Sequence, residues 1–310
     1  MRLERVLFFP TTPFDADGTV ATERLAESLR AGLAHRPGGI FTACGTGELH
    51  ALTVAEHELV VRTTVAVAGE EPAAAVPVIA GAGGPLPVAI AQARNAARAG
   101  ADAILLLPPY LVKGPEAGLI AYVRTVAEAS PVPVIFYQRA NAVLSVAASV
   151  TVAGIPGVIG IKDGVGDLDR MHGIVIAVRA AMGPDFLFFN GLPTAELTAA
   201  AYRGIGVELY SSAAFAFAPE VASAFQRALA AGSAQVDALL RGFYQPLGRL
   251  RDAVPGYAVA LVKAGQRLRG FDVGGVRPPL VDLTEAHLED LRAILATGLD
   301  LVDARPRQPE

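Results

Sequence analysis

The stretch Val158-Ile159-Gly160-Ile161-Lys162-Asp163-Gly164 is an apolar run that ends in a charged, glycine-containing turn. Apolar runs without polar alternation are typical of parallel strands that are buried on both faces. Runs of this kind recur along the whole chain and predict eight strands, at Val6–Phe9, Gly39–Ala43, Val76–Ala80, Ala103–Leu107, Val132–Tyr137, Val158–Lys162, Phe186–Asn190 and Gly206–Leu209.

Longer amphipathic stretches separate these runs and predict helices. They lie near Glu23–His35, Val54–Ala68, Pro87–Ala99, Pro115–Glu128, Leu168–Ala181, Thr194–Tyr202 and Pro219–Ala231, with a short helix over Val146–Val152. Strands that alternate with helices belong either to an open doubly wound sheet or to a closed barrel. The segment Phe9-Pro10-Thr11-Thr12-Pro13 lacks the glycine-rich fingerprint that follows the first strand of a Rossmann-type fold.

Eight β/α units in about 230 residues match the size of a (β/α)8 barrel. We therefore predict an α/β fold, a TIM barrel with a C-terminal helical extension. The chain is treated as a single domain over residues 1–310, with the barrel at 1–232 and the extension at 233–310. The extension is predicted to hold helices near Ala234–Leu250, Tyr257–Leu268 and Glu285–Ala296.

The composition excludes several classes of protein. Hydrophobic residues make up 52% and charged residues 18%, which supplies a large core and is unlike a disordered chain. The net charge of −4, with no run of Lys and Arg, argues against nucleic-acid binding. Cys44 is the single cysteine, so an internal disulfide is excluded and a reducing compartment is expected. With no signal peptide or membrane segment expected, we predict a cytoplasmic protein.

Lys162 is the strongest candidate for a catalytic residue. It ends a predicted strand, and barrel enzymes carry their catalytic groups on the loops that follow the strands. A lysine buried among apolar neighbours has a lowered pKa and can attack a carbonyl as a free amine. The other two lysines, Lys113 and Lys263, are expected to be surface cations.

Two further groups stand at strand ends. Tyr137 ends the strand before that of Lys162, and adjacent strands run about 5 Å apart, so its phenol is expected to reach the amine and relay protons. The turn Gly45-Thr46-Gly47-Glu48 follows the second strand, where its backbone N–H groups and the Thr46 hydroxyl can bind a carboxylate.

No metal site is expected from the sequence. The five histidines form no His-x-x-x-His pattern and no Cys–His cluster. Asp163, Asp167 and Asp169 are interpreted as a solvated loop with acids at the start of a helix.

Taken together, these motifs resemble the dihydrodipicolinate synthase/N-acetylneuraminate lyase superfamily over nearly the whole chain. They are Thr12-Pro13-Phe14, Gly45-Thr46-Gly47-Glu48, Pro108-Pro109-Tyr110, the Tyr137 strand and Gly160-Ile161-Lys162-Asp163. The resemblance implies that Lys162 forms a Schiff base, that Tyr137 relays protons, and that Gly45 and Thr46 hold the carboxylate of a small 2-keto acid.

Within that superfamily the chain looks most like the 5-dehydro-4-deoxyglucarate dehydratase group. The segments that suggest this group are Gly45-Thr46-Gly47-Glu48, Pro108-Pro109-Tyr110-Leu111, Tyr137-Gln138-Arg139, Gly191-Leu192-Pro193-Thr194-Ala195-Glu196, Tyr210-Ser211-Ser212-Ala213, Val262-Lys263-Ala264-Gly265 and Val276-Arg277-Pro278-Pro279-Leu280. The resemblance implies conversion of 5-dehydro-4-deoxy-D-glucarate to 2,5-dioxopentanoate, water and carbon dioxide. No cofactor is implied, and a homodimer or homotetramer is expected.

Some positions depart from the synthases of the superfamily. Gly45 and Leu111 stand where those enzymes carry relay hydroxyls, which disfavours synthase chemistry. Ala142 replaces their carboxylate-binding arginine, and Arg139 is a candidate for a related role. Glu208 stands near the expected carboxylate site, where the superfamily has a small or apolar residue.

Further substrate contacts are expected from polar groups after the last two strands, namely Asn190, Gly191, Ser211 and Ser212. Two alternatives stay open at this point: an aldolase or synthase that acts on another 2-keto acid, and a keto-acid sensor without turnover. An intact pair of Lys162 and Tyr137 argues against the sensor.

Overall fold

The fold is that of a closed barrel of parallel strands surrounded by helices. The computed structural model describes residues 3–70, 76–109 and 111–303. Strands pair in the order β1 to β8, and β8 closes the barrel against β1, which confirms the predicted TIM barrel. The strands are β1 Leu7–Phe8, β2 Gly39–Thr42, β3 Val78–Ala82, β4 Ala103–Leu106, β5 Val134–Gln138, β6 Val158–Asp163, β7 Leu187–Asn190 and β8 Leu209–Ser212.

A helix follows each strand and packs on the outside of the barrel. The helices are α1 Thr22–Leu33, α2 Val54–Ala68, α3 Leu86–Ala99, α4 Glu116–Ala129, α5 Val146–Ala153, α6 Leu168–Met182, α7 Ala199–Gly204 and α8 Pro219–Ala231. The predicted helix over Thr194–Tyr202 is instead a 3-10 turn at Ala195–Thr198 that leads into α7.

Alternate residues of each strand point to opposite sides of the sheet, so one apolar layer fills the barrel interior and another lies between the strands and the helices. Side chains such as Leu7, Phe41, Leu105 and Phe189 fill the barrel interior. Their neighbours point outward against the helices and form a larger cluster with residues such as Leu25 and Val123. Tyr137 belongs to the inward set, and so does Lys162, because its Nζ lies over the rings of Phe9 and Tyr137 in the interior.

The last strand lies further along the chain than the sequence predicted. The prediction was Gly206–Leu209, but the strand runs Leu209–Ser212, where it pairs with β7 on one side and β1 on the other. Gly206 has a φ of +84° and belongs to the turn after α7, so it cannot begin a strand. Ser211 and Ser212 are therefore strand residues, and Glu208 lies before the strand.

The extension packs against α8 and the β8 end of the barrel. Helices α9 Gln235–Leu239 and α10 Gln245–Asp252 are joined by one turn of π-helix at Leu240–Tyr244, so the predicted helix over Ala234–Leu250 is present with an irregular middle. Helices α11 Tyr257–Leu268 and α12 Glu285–Asp303 follow. An apolar cluster that includes Phe217, Phe225, Phe243 and Leu291 joins the extension to the barrel.

Two sequence predictions include residues that the structure does not describe. Tyr110 of the Pro108-Pro109-Tyr110 motif lies outside the described residues, as do residues 304–310 of the extension. Within the described ranges, the helices are all too short or too polar to cross a membrane.

Candidate active site

Lys162 is the buried amine of the site. It is 5% exposed on β6, and its Nζ lies 4.4 Å from the centre of the Phe9 ring and 4.5 Å from that of Tyr137. Burial lowers the pKa of Lys162 to about 7, because the charged form is poorly solvated there. Arg139 acts in the same direction and Cys44 opposes it. A substantial fraction of the amine is therefore neutral, and nucleophilic, near neutral pH.

Tyr137 stands directly opposite Lys162, because the two residues are partners in the β5–β6 register. Its Oη donates a hydrogen bond to the Gly191 carbonyl at 2.6 Å and accepts one from Arg139 Nη1 at 3.2 Å. Burial raises the pKa of the Tyr137 phenol above its ordinary value of 10.0. The phenol is therefore protonated at neutral pH and is aimed by two partners, as a proton donor needs to be.

Gly191 closes the site from the β7 side. A Cβ at this position would lie 2.6 Å from Lys162 Cε and 2.7 Å from Tyr137 Cε2, and both distances are too short for real contacts. Gly164 has the same relation to Tyr137, because its Cβ would lie 2.8 Å from Oη. Backbone therefore approaches the amine and the phenol as closely as glycine alone permits.

These groups border a cavity of about 310 Å³ at the carboxyl ends of the strands. The residues predicted from the sequence that line it are Gly45, Thr46, Tyr137, Arg139, Lys162, Gly191 and Ser211. The Ser211 Oγ is buried and has no hydrogen-bond partner within the described chain. It is therefore a hydroxyl that remains available to a ligand.

Gly45 and Thr46 line the cavity from a turn that Thr12 holds by a hydrogen bond. Thr12 Oγ1 donates to the Gly47 carbonyl at 2.7 Å, and Glu48 has a left-handed φ of +56°. A Cβ on Gly45 would meet nothing within 4 Å, so Gly45 leaves open space beside Thr46.

Lys263 is buried, so the prediction that it is a surface cation was wrong. Its Nζ pairs with Glu48 Oε1 at 2.7 Å, donates to the Gly275 carbonyl at 2.7 Å, and lies 4.2 Å from the centre of the Phe14 ring. The Arg277 backbone N–H donates to the other Glu48 oxygen at 2.9 Å. Glu48 is thus a buried carboxylate whose counter-charge comes from the extension. Lys113 is exposed, as predicted.

Asn190 and Ser212 stand behind the cavity wall. The Asn190 amide donates to the Ala195 carbonyl at 3.1 Å and to Thr198 Oγ1 at 2.8 Å, while its Oδ1 accepts from the Leu192 backbone at 3.1 Å. Its hydrogen-bonding groups are used in shaping the loop after β7. The structure does not bring Asn190 or Ser212 to the cavity lining, in contrast to Gly191 and Ser211.

Glu196 borders the cavity and was not singled out as a functional residue. It is 1% exposed, accepts a hydrogen bond from Ser212 Oγ at 2.6 Å, and leaves Oε2 without a partner among the described residues. Burial raises the pKa of Glu196 to about 7, against the hydrogen bond from Ser212, which lowers it. Its only sequence signal was its place at the end of the Gly191–Glu196 motif.

Arg251 also lines the cavity, and no sequence motif had indicated it. It lies on α10, and its Nη1 donates to Thr194 Oγ1 at 2.6 Å. Its Nε and Nη2 donate to the two Asp252 oxygens at 2.8 and 2.7 Å. The extension therefore contributes a cation to the cavity.

Two acidic positions differ from their predicted roles. Asp163 is 1% exposed rather than solvated, and its carboxylate accepts hydrogen bonds from Gln138 Nε2 at 2.8 Å and from Tyr202 Oη. Glu208 is exposed and does not line the cavity, because β8 begins after it. Asp167 caps α6 by accepting from the Arg170 backbone at 3.0 Å, as expected for an acid at a helix start.

Comparison with known proteins gives a consistent result. The model of the dihydrodipicolinate synthetase family matches residues 2–297. A "Probable 5-dehydro-4-deoxyglucarate dehydratase" from Streptomyces griseus subsp. griseus is 53% identical over 96% of this chain and 92% of its own. A "Probable 5-dehydro-4-deoxyglucarate dehydratase 1" from Streptomyces coelicolor is 51% identical over 96% of this chain and 93% of its own.

Among solved structures, a dihydrodipicolinate synthase from Bacillus anthracis superposes with a TM-score of 0.82 at 25% identity, covering 99% of this chain and 100% of that one. The match to the family model extends over both the barrel and most of the extension. The chain therefore belongs to the dihydrodipicolinate synthetase family.

Proposed function

We propose that this protein is a decarboxylating dehydratase that converts 5-dehydro-4-deoxy-D-glucarate to 2,5-dioxopentanoate, water and carbon dioxide. The observation that carries the proposal is the buried Lys162 amine, with its lowered pKa, facing a protonated Tyr137 in the cavity. Relatives at 53% and 51% identity carry the name "Probable 5-dehydro-4-deoxyglucarate dehydratase", and this supports the proposal.

The reaction begins at the ketone. The neutral amine of Lys162 attacks the keto carbon and gives a carbinolamine, whose hydroxyl leaves as water after it takes up a proton. Tyr137 is the available donor, since its Oη lies between the Gly191 carbonyl and Arg139. The product is an iminium ion, an electron sink next to the substrate methylene.

The same iminium ion accepts electrons in the elimination and in the decarboxylation that follow. Loss of a methylene proton forms an enamine, and its electron pair expels the hydroxyl of the next carbon as water. The conjugated iminium that results accepts the electron pair of the bond to the far carboxylate, which departs as carbon dioxide. Protonation and hydrolysis release 2,5-dioxopentanoate and restore the Lys162 amine. One proton is consumed overall, when both acids are counted as carboxylates.

The other cavity residues suit the binding of such a substrate. Gly45 and Thr46 are proposed to hold the carboxylate beside the keto group, through backbone N–H groups and the Thr46 hydroxyl. Arg139 is proposed to act at the same end, because it donates to Tyr137. The unpartnered Ser211 hydroxyl is proposed to bind a substrate hydroxyl.

Assembly and location belong to the same proposal. Leu111 and Val112, next to the loop after β4, are 81% and 64% exposed, which is more than other large apolar side chains within the described ranges. A surface of this kind favours contact between copies of the chain, and we propose a cytoplasmic homodimer or homotetramer. Light scattering of the purified protein would give the mass of the assembly.

The product distinguishes this reaction from its alternative. Incubation of the enzyme with 5-dehydro-4-deoxyglucarate is expected to release carbon dioxide and 2,5-dioxopentanoate in equal amounts. Pyruvate among the products would mean retro-aldol cleavage and would assign the protein to the aldolases of the superfamily. No turnover with this substrate, together with turnover of another 2-keto acid, would refute the proposed substrate.

A further inference from the structure

The proposed substrate carries a carboxylate at each end of a six-carbon chain, and the cavity offers cations at different places. Arg139 donates to Tyr137 and contributes to the lowered pKa of Lys162, so it belongs to the end of the cavity where the imine forms. A carboxylate at the other end of the substrate needs a partner of its own, since a buried, unpaired charge is costly.

Arg251 has the geometry of such a partner. Its side chain is 16% exposed and lines the cavity from α10, on the wall that the extension supplies. An arginine has five N–H donors, and in the described part of the chain Arg251 uses three of them, on Thr194 and Asp252. One N–H on each of its two Nη atoms is left, and these donors can form charge-assisted hydrogen bonds to a carboxylate.

The residues around Arg251 support a built site. Thr194 has a left-handed φ of +49°, an unfavourable conformation for a β-branched residue, and its hydroxyl is held by Arg251. Strained backbone of this kind is concentrated at ligand-binding sites. Thr194 lines the cavity together with Ser211, whose buried hydroxyl has no partner within the described ranges.

We propose that Arg251 binds the far carboxylate of the substrate, the one that leaves as carbon dioxide. This inference rests on the proposed function, because it requires a 2-keto acid with a second carboxylate at the distal end. It assigns a specificity-determining residue to the helical extension, and it gives Arg139 and Arg251 different roles. Arg139 acts at the imine end and Arg251 acts at the far end.

The pairing of Arg251 with Asp252 is consistent with a carboxylate that must later depart. A guanidinium that faced the substrate alone would stabilise the carboxylate strongly and oppose its conversion to neutral carbon dioxide. Asp252 already shares the Arg251 charge through two hydrogen bonds, and Arg251 in turn lowers the pKa of Asp252. The far carboxylate is thus oriented by hydrogen bonds while part of the opposing charge is compensated.

A matched pair of unreactive keto acids tests the inference without requiring the full reaction. Both 2-oxoadipate and 2-oxohexanoate have six carbons and a 2-keto acid end, but 2-oxoadipate alone has a far carboxylate. The concentration of each acid that gives half-maximal adduct with Lys162 is measured by borohydride reduction and intact mass. The wild type is expected to prefer 2-oxoadipate by roughly 10–100-fold, the effect of one charge-assisted interaction.

Arg251→Gln is expected to abolish that preference while its half-saturation with 2-oxohexanoate changes less than about twofold, because that acid has no far carboxylate. Arg251→Lys is expected to keep part of the preference. Arg249→Gln, an exposed arginine on the same helix, is the matched control and is expected to behave as the wild type. The unchanged 2-oxohexanoate adduct reports that the variant site is intact.

Each other outcome contradicts the inference in a different way. Equal trapping of the two acids by the wild type, or a preference that survives Arg251→Gln, would overturn it and leave the Schiff-base function standing. A preference that is lost in Arg139→Gln but kept in Arg251→Gln would overturn it in favour of Arg139. No adduct with either acid would overturn the proposed function and this inference with it.

Discussion

Tyr137 and Lys162 are direct partners across two neighbouring parallel strands, so the phenol and the amine of the site share one rigid sheet. Both residues lie on strands, and Gly191, the first residue after β7, approaches both of them closely. Regular secondary structure therefore sets the relative positions of the two side chains, which is more precise than placement on loops.

The first prediction concerns the pH dependence of Schiff-base formation. The pKa of Lys162 is lowered to about 7, and only the neutral amine attacks the ketone. The rate of borohydride-trapped adduct formation with pyruvate is expected to rise about tenfold per pH unit below pH 7, and to level off above it.

Mass mapping should place the adduct on Lys162. Lys162→Ala should form no adduct, whereas Lys113→Ala, which removes an exposed lysine, should react as the wild type does. A rate that still rises steeply at pH 9 would refute the lowered pKa.

A second prediction isolates the Tyr137 hydroxyl. Tyr137→Phe keeps the ring against Lys162 but removes the proton that is shared with the Gly191 carbonyl. Turnover is expected to fall by roughly 10²–10⁴-fold, the usual contribution of a general acid or base. Substrate KM should change much less, and steady-state kinetics would separate the two. An unchanged kcat would reassign Tyr137 to packing.

The close approach at Gly191 supplies a third prediction. In Gly191→Ala the new Cβ would collide with Lys162 Cε and Tyr137 Cε2, so the amine and the phenol must move apart. Trapping of pyruvate is expected to slow by at least about tenfold, since catalytic groups need sub-ångström placement. Gly204→Ala, at a position where a Cβ meets nothing within 4 Å, is the matched control. Equal trapping rates for the two variants would contradict the packing seen at Gly191.

A fourth prediction concerns stability and the buried Glu196. Its pKa is raised from 4.5 to about 7, so the folded state keeps a proton that the unfolded state releases between those values. Glu196 therefore contributes stability that is full below pH 4.5 and is lost as the pH rises to about 7. Glu196→Gln should lack this loss, and its unfolding free energy relative to the wild type should rise by up to about 3 kcal/mol between pH 4.5 and pH 8.

Urea unfolding at several pH values measures this difference in unfolding free energy. The control is Glu208→Gln, which replaces an exposed glutamate. If the difference in unfolding free energy between Glu196→Gln and the wild type did not change with pH, Glu196 would be ionised in the folded state.

The fifth prediction concerns the independence of the subunits. Lys162 and Tyr137 come from adjacent strands of one barrel, and the exposed Leu111 carries no hydroxyl that could serve a neighbouring site. Mixing Lys162→Ala protein with Tyr137→Phe protein, with exchange of subunits confirmed by native mass spectrometry, is expected to restore no activity. Recovered activity would show that a catalytic group crosses between subunits.

The sequence was informative where the signal is local. Lys162 and Tyr137 each end an apolar run, and a strand end of that kind identifies both the element and its catalytic edge. The helix start at Thr53 with Glu56 three residues later forms the capping box that such a pair predicts. The register that sets these strands side by side follows from barrel closure.

Long-range partners could not be predicted in this way. Lys263 looks like an ordinary helical lysine until the fold brings it against Glu48, and Arg251 is one of many arginines until α10 meets the loop after β7. The misplaced start of β8 has a different cause, because Val207 and Leu209 are apolar on both sides of the true boundary and only the pairing with β1 and β7 decides it. Asn190 and Ser212 were expected at the cavity because of their positions near strand ends, but their polar groups bond to Ala195, Thr198 and Glu196, and neither residue lines the cavity.

The ion pair between Glu48 and Lys263 has a consequence for recombination between homologous enzymes. Arg277 and Glu48 are 229 positions apart, yet the turn that is proposed to bind the keto-acid carboxylate is anchored by α11 and the segment that follows it. A chimera that takes the barrel from one parent and the extension from another inherits a buried carboxylate and a buried ammonium from different lineages. A mismatch leaves one charge without its partner, at a cost of about 3–5 kcal/mol. Productive crossover points therefore keep the segments around Glu48, Lys263 and Arg277 from the same parent.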